Sequence, residues 1–337
     1  MTATDTPTAL VIGATGGIGG ETAKALIAAG WRVRALTRDV ARARRDFARL
    51  GPVEWVGGDA MRAAEVIAAA EGARLILHAA NPPGYRNWQG LALPMLESSI
   101  AAARAAGARL VLPGTVYNFG PDAGPVVDER SPQHPLTRKG RIRVAMEERL
   151  AQAASAGVRS LVMRAGDYFG GHAPSSWFSN AMVRPGKPVR FILYPGRRYV
   201  GHAFAYLPDL AQAMVRLAAI EARLAPFEVV HFAGHWLAQG GEIAEAIRRA
   251  AGAPRAPILP FPAALLYLAA PFSETFRETI EMRYLWCEPL RLGNTKLESL
   301  IGPEPRTLLE EAVRRSLVAL GCLSGAAADA VRAAAGA

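Results

Sequence analysis

Through its first half the chain alternates short apolar runs with longer stretches in which apolar residues recur every three or four positions. The short runs are too brief for helices and read as buried strands, and the stretches between them read as amphipathic helices. Strands are expected at Leu10–Ile12, Arg32–Leu36, Val53–Val56, Arg74–His78 and Arg109–Leu112, with helices between them at Ile18–Ala29, Val40–Leu50, Met61–Ala70 and Leu91–Ala106. Gly30, Gly51, Gly72 and Gly107 each stand where a helix should close, as a left-handed C-terminal cap favours. A helix at Arg141–Ala156, closed by Gly157, and a strand at Val158–Arg164 continue the series. Repeated strand–helix–strand units predict an α/β fold built on a parallel, doubly wound sheet.

The alternation loosens after Gly170. Residues 171–205 are rich in Gly, Pro and aromatics and read as loops with short strands, whereas Leu207–Ala222 reads as a helix and Glu228–Phe232 as a strand. Residues 239–321 are mostly helical in pattern, interrupted by prolines at 254, 257, 260, 262 and 271. This pattern divides the chain into a sheet domain (7–170 with 206–233), a smaller, mostly helical substrate lobe (171–205 with 234–321) and a flexible alanine-rich tail (322–337).

Composition narrows the classes. The chain has 337 residues, 51% of them apolar, enough for a large core. The longest apolar stretch, Phe261–Phe272, is cut by Pro262 and Pro271 and falls short of the about 18 residues that a membrane span needs. No basic region followed by an apolar one opens the chain, so neither a signal peptide nor a membrane partner is expected. Cys287 and Cys322 are isolated, without metal-ligand spacing, and suit a reducing cytoplasm. The formal charge of +10 comes nearly all from arginine. No nucleic-acid recognition motif accompanies it, so an anionic small ligand is the expected partner rather than DNA or RNA.

The chemistry begins at Gly13-Ala14-Thr15-Gly16-Gly17-Ile18-Gly19. Here a strand ends in a glycine-rich turn that opens a helix, the arrangement that brings bare backbone N–H groups to a pyrophosphate at a helix N-terminus. With further strand–helix units behind it, the turn predicts dinucleotide binding on a Rossmann-type sheet through Gly13, Thr15, Gly16, Gly17, Ile18 and Gly19. At the end of the second strand, where an acidic residue would hold a ribose 2′-hydroxyl, the chain has Leu36-Thr37-Arg38-Asp39 and then Arg42. A guanidinium suits a 2′-phosphate, so Arg38 supported by Arg42 points to NADP, with NAD as the alternative. Asp39 also fits an N-cap for the next helix. Asp59 could accept from an adenine amino group or cap a helix. Ala79 and Ala80 are small enough for the backbone to approach a cofactor.

Taken together these residues resemble the extended short-chain dehydrogenase/reductase superfamily, which includes NAD-dependent nucleotide-sugar epimerases and dehydratases. The resemblance runs from Leu10 to about Leu317. It is carried by the glycine turn, Gly58-Asp59, Ala79-Ala80, Val116-Tyr117-Asn118-Phe119-Gly120, Arg164-Ala165-Gly166-Asp167-Tyr168-Phe169-Gly170, Leu207-Pro208-Asp209-Leu210-Ala211, Asn294-Thr295-Lys296-Leu297 and Ile301 to Thr307. It implies hydride transfer between a nicotinamide and a carbonyl or carbinol carbon. It also implies a Tyr-x-x-x-Lys pair on the helix after the fifth strand and a nearby Ser/Thr.

That pair is where the chain departs. Aligned on Glu147, the tyrosine position holds Lys139 and the lysine position Arg143; of the Ser/Thr, only Thr115 keeps a hydroxyl nearby. Three readings stay open. Lys139 carries the proton, its pKa depressed by neighbouring cations; or Tyr117, Tyr168 or His172 does; or catalysis is absent and only ligand binding is kept. Arg143 is then a candidate for both the catalytic and the cofactor site.

Further candidates have plainer alternatives. His231 and His235 are spaced for a metal but lack a third ligand, so no metal is expected. His202, Arg190, Arg197 and Arg198 could contact an anionic substrate or lie in the core and on the surface. Tyr85, Arg86 and Trp88 could form a lid. The expectation is an atypical NADP(H)-dependent oxidoreductase or epimerase/dehydratase-like enzyme acting on a carbonyl/hydroxyl substrate, nucleotide sugars being the superfamily's commonest class. The alternative is a non-catalytic NADP(H)-binding redox sensor or structural subunit, and a homodimer is left open.

Overall fold

The structure, a computed structural model, describes residues 6–82, 87–171 and 176–323. Seven parallel strands form the main sheet: β1 (Thr8–Ile12), β2 (Arg32–Thr37), β3 (Val53–Gly57), β4 (Ala73–His78), β5 (Arg109–Pro113), β6 (Ser160–Ala165) and β7 (Phe227–Phe232). They lie in the order β7-β6-β5-β4-β1-β2-β3. The chain reverses its direction of travel across the sheet between β3 and β4, so a crevice opens beyond the carboxyl ends of β1 and β4.

Both faces of the sheet are covered, which is why β1 reads as an unbroken apolar run. Ala9 and Val11 pack on one side with Leu26 of α1 (Gly17–Ala28) and with Leu210 and Leu217 of α6 (Leu207–Ala219). Leu10 and Ile12 pack on the other with Leu96 and Ile100 of α4 (Trp88–Ala106) and with Met146 and Leu150 of α5 (Arg138–Ser155). Between them α2 (Val40–Asp46) and α3 (Ala63–Ala69) connect the outer strands.

The expected elements are present, with shifted ends. The helix expected over 40–50 is α2 followed by a short 3-10 turn, Ala48–Leu50, and α4 begins three residues earlier than its apolar pattern suggested, running through Pro94. The shift at α5 bears on the site. The helix starts at Arg138 because the Thr137 hydroxyl accepts from Gly140 N at 3.0 Å, an N-cap that Pro135 and Gly140 had obscured. A side chain at Gly140 would put its Cβ 2.3 Å from the Tyr117 carbonyl oxygen, so glycine lets α5 close on the loop after β5.

The remaining elements surround the carboxyl edge. Asp167–Phe169 and His202–Tyr206 pair in parallel, with His235–Leu237 antiparallel beside them. Ile192–Tyr194 pairs with Ile258–Pro260, and Val126–Val127 with Arg291–Leu292. Helices α7 (Glu242–Ala250), α8 (Ala263–Ala269), α9 (Glu274–Glu281), α10 (Thr295–Ile301) and α11 (Leu309–Ala319) complete them. Phe169, Phe178, Phe204, Trp286, Ile243 and Val313 share a core here. Two carboxylates tie the last segments to the sheet. Asp209 accepts from Thr307 N and Oγ1 at 2.6 and 2.8 Å, and Glu304 accepts from Ala233 N, Gly234 N and Asn294 Nδ2. This explains why the Leu207-Pro208-Asp209 and Pro303-to-Thr307 motifs occur in one chain.

Candidate functional site

The glycine turn has the geometry of a cradle. Gly13 has φ +95°, and a Cβ there would lie 2.6 Å from the Ala79 oxygen; at Gly19 a Cβ would lie 2.2 Å from the Gly13 oxygen. Backbone meets backbone at both points, so the ends of β1 and β4 and the start of α1 converge without side chains between them. Gly16 N donates to the Gly13 oxygen at 3.0 Å, and no side chain caps α1. The N–H groups of Gly17, Ile18 and Gly19 are first-turn donors without an intrahelical acceptor, while Thr15 and Gly16 are exposed. Bare donors at a helix N-terminus, with positive dipole behind them, fit the phosphates of a dinucleotide.

At the end of β2, Arg38 is exposed and makes no hydrogen bond or ion pair among the described residues. Arg42 pairs with Asp46 at 3.3 Å on the exposed face of α2. Asp39 does cap α2, accepting from Arg42 N at 2.9 Å. Asp59 also has a local role, its Oδ1 accepting from Met61 N at 2.9 Å.

The second cluster hangs from α5 and the end of β5. Arg143 is buried, 6% exposed, and its guanidinium bridges two strand ends: one nitrogen donates to the Pro113 oxygen (3.3 Å) and the other to Asn81 Oδ1 (3.2 Å). It lies over the Trp88 ring at 5.1 Å, and its Nε is buried without a hydrogen-bond partner among the described residues. Trp88 is thus a buried floor under Arg143, not part of a lid. Arg143 thus reaches Asn81, two residues beyond the Ala79 against which Gly13 is packed.

Lys139, one turn earlier, is 2% exposed, and its Nζ faces Glu278 Oε2 of α9 at 3.7 Å. α9 also clasps the start of α5 through Glu281, which accepts from Arg138 N at 2.9 Å. Thr115 is buried and its hydroxyl oxygen accepts from Tyr117 N at 3.3 Å; Tyr117 is half-buried in the same turn. The Tyr168 hydroxyl donates to the Gly114 oxygen, and burial pushes this phenol well above the usual tyrosine range, with Arg143 opposing weakly. The Tyr168 hydroxyl is thus engaged by a backbone carbonyl.

Beneath the site lies a sealed polar chain. Arg164 donates twice to Glu147, at 2.6 and 3.1 Å, and bonds His231 Nε2 at 3.2 Å; Asn118 Nδ2 donates to Glu147 at 2.9 Å. Burial and the Arg164 charge hold His231 at about 3, and His235 stands at about 4, chiefly through burial. Both are neutral core histidines, and no metal-binding cluster occurs among the described residues. His202 bonds Asp167 Oδ2 at 2.7 Å and stacks on Trp286, so it too is packed into the fold. Arg190, Arg197 and Arg198 are exposed and have no contact with the Arg143 cluster. His172, Tyr85 and Arg86 lie outside the described residues, as does the chain beyond residue 323.

Glu278 and Asn81 were not legible as site residues. Glu278 sits far along the sequence in a helix with no motif, and only the fold brings it to Lys139. Asn81, directly after the small residues that close β4, carried a positional signal that could have been used. A cavity of about 300 Å³, lined by Phe119, Gly120, Tyr284 and Glu288 among others, contains none of the candidate residues.

Comparison with known proteins agrees with this architecture. The family described as NAD dependent epimerase/dehydratase matches residues 9–233, and the chain belongs to that family. Its structure resembles UDP-galactose 4-epimerase (TM-score 0.71, 20% identity, covering 93% of this chain and 98% of that one). It also resembles UDP-glucuronic acid 4-epimerase from Bacillus cereus in complex with NAD (0.71, 14%, 93% and 98%). A third similar structure is UDP-glucose-4-epimerase from Stenotrophomonas maltophila with bound NAD and formylated UDP-arabinopyranose (0.72, 18%, 96% and 100%). At these identities the likeness is one of fold. No curated protein matches the sequence.

Proposed function

We propose that this protein is a nicotinamide-dependent enzyme of the epimerase/dehydratase type with a non-standard active site, acting on a carbonyl/hydroxyl carbon and preferring NADP(H) to NAD(H). The observation that carries the reading is that the Gly13–Gly19 turn and the Arg143 guanidinium both meet the segment after β4, at Ala79 and at Asn81. Binding the two ends of one dinucleotide would use both. Gly13, Thr15, Gly16, Gly17, Ile18 and Gly19 would hold the pyrophosphate, and Ala79 and Ala80 would let it lie close. Arg38 would take the 2′-phosphate, Asp59 would stand near the adenine, and Arg143 would hold the ribose of the nicotinamide half.

When bound, the nicotinamide would exchange hydride with the substrate carbon. In the reductive direction the carbonyl oxygen gains negative charge as hydride arrives and needs a proton. Lys139 is our candidate for that proton. It shares a helix face with Arg143, and Glu278 holds its ammonium in one direction. Thr115 can donate its hydroxyl hydrogen to the same oxygen, and Tyr117 stands beside it. UDP-sugars, the ligands of structural neighbours, are the first substrates to try.

One observation favours a second reading, a non-catalytic NADP(H) binder. Lys139 is almost fully buried and already engaged by Glu278. Fluorescence titration with NADPH and NADH, followed by turnover on UDP-sugars and a carbonyl panel, tells the two apart. Binding with conversion that Lys139→Ala abolishes supports the enzyme. Binding without conversion gives the second reading, and no binding of either cofactor removes both.

A further inference from the structure

The small lobe carries a second charged segment, made of residues other than those assigned above to the cofactor. Between Asp167 and Asp209 the sequence has five cations, Arg184, Lys187, Arg190, Arg197 and Arg198, and no acidic residue. All five are exposed, and none has a carboxylate partner among the described residues. Arg190 and Arg197 bracket the strand Ile192–Tyr194, which pairs in parallel with Ile258–Pro260. That second strand leads into α8 through a stretch without a charged residue from 256 to 273. Along it, apolar side chains face water: Leu259 is 44% exposed, Tyr267 54% and Leu268 73%. The two-stranded ribbon therefore joins an unneutralised basic segment to a bare apolar one.

We propose that this edge of the lobe docks on the surface of a bilayer containing anionic lipid. Charge complementarity supplies the argument. Unpaired cations are drawn to an anionic headgroup layer, and apolar side chains beside them enter the acyl boundary. Tyr267 suits that boundary, with an apolar ring and a hydroxyl that accepts from Arg283 at 3.2 Å. A polyanion such as RNA would use the arginines but leave Leu268 and Leu259 without a role. No helix among the described residues is long and apolar enough to cross a membrane, so the contact is with the surface only. The absence of a spanning run, from which no membrane partner was expected, does not bear on it.

The test is co-sedimentation of the full-length protein with vesicles of phosphatidylcholine alone and of phosphatidylcholine mixed with phosphatidylglycerol. Binding should be about tenfold or more stronger to the mixed vesicles and should weaken as salt is raised. The triple variant Arg190→Gln, Arg197→Gln, Arg198→Gln should lose most of it. Leu268→Glu should also weaken it about tenfold, with an unchanged circular dichroism spectrum because Leu268 is exposed. Absence of binding to the mixed vesicles overturns the proposal. So does binding that Leu268→Glu leaves intact and RNA displaces, which would make the face a general polyanion site. Self-association lost in Leu268→Glu, without vesicle binding, would instead assign the face to a second copy of the chain.

Discussion

Lys139 and Glu278 face each other inside the protein, Nζ to Oε2 at 3.7 Å, and join α5 at the edge of the main sheet to α9 in the small lobe. Both side chains are almost entirely removed from water. Breaking such a pair strands one charge, at a cost of about 3–5 kcal/mol, whereas replacing both partners with apolar residues of similar size costs much less. Urea unfolding should therefore show Glu278→Ala clearly destabilised and Lys139→Met/Glu278→Leu closer to the parent. Equal losses in the single and double variants would mean the pair is not coupled.

Gly13 offers a sharper test of the cradle. Alanine there would occupy a left-handed conformation and press on the Ala79 carbonyl. Backbone strain of this kind is worth about 1–3 kcal/mol. Gly13→Ala should lower the melting temperature and also lose the stabilisation that NADPH gives the parent. A variant that melts lower yet keeps the full NADPH shift would separate the turn from the ligand.

Arg143 bridges Pro113 and Asn81 with two nitrogens of one fork, which an ammonium cannot reproduce. Arg143→Lys should weaken cofactor binding by about tenfold, or about 1.4 kcal/mol. Isothermal titration with NADPH reads it, and an unaltered Kd would move the nicotinamide end away from Arg143.

The proposed preference for NADP(H) rests on Arg38, which is exposed and has no partner among the described residues. A charge-assisted hydrogen bond is worth about 1.5–3 kcal/mol. Arg38→Asp should turn the NADPH-to-NADH Kd ratio toward NADH by about tenfold or more. No change in the ratio would place the selectivity elsewhere.

Stability should fall on mild acidification. His78 and His231 are each held at about 3 by burial, assisted by Arg143 and Arg164 respectively, against 6.5 for an ordinary histidine. Between about pH 3 and 6.5 the unfolded chain binds more protons than the folded one, so stability rises with pH across that window and is fully present above it. Each group contributes up to about 1.4 kcal/mol per pH unit there. His231→Gln keeps an acceptor for Arg164 and should flatten the slope of unfolding free energy between pH 5 and 6 by about one proton's worth.

What was legible in the sequence is what local chemistry dictates. Apolar runs buried on both faces, helices closed by glycine and a turn that admits no Cβ announce themselves within a few residues, because their causes are steric and short-ranged. So the turn from Gly13 to Gly19 and the Asp39 cap could be read directly. The partners of the α5 cluster could not, since nothing near Lys139 or Arg143 in sequence specifies what will face them. Likewise, nothing near Tyr168 in sequence says that its hydroxyl will meet the Gly114 carbonyl.

The chain by itself therefore determined a parallel α/β sheet, a glycine-rich turn that opens a helix, and Lys139 and Arg143 four residues apart on one helix. Only the tertiary structure decided that Lys139 is buried against Glu278, that Arg143 spans Asn81 and Pro113, and that the strand flanked by Arg190 and Arg197 pairs with the one carrying exposed Leu259. Those are relations between segments remote in sequence. Their energies depend on burial and distance, which exist only once the sheet has gathered its crossing helices.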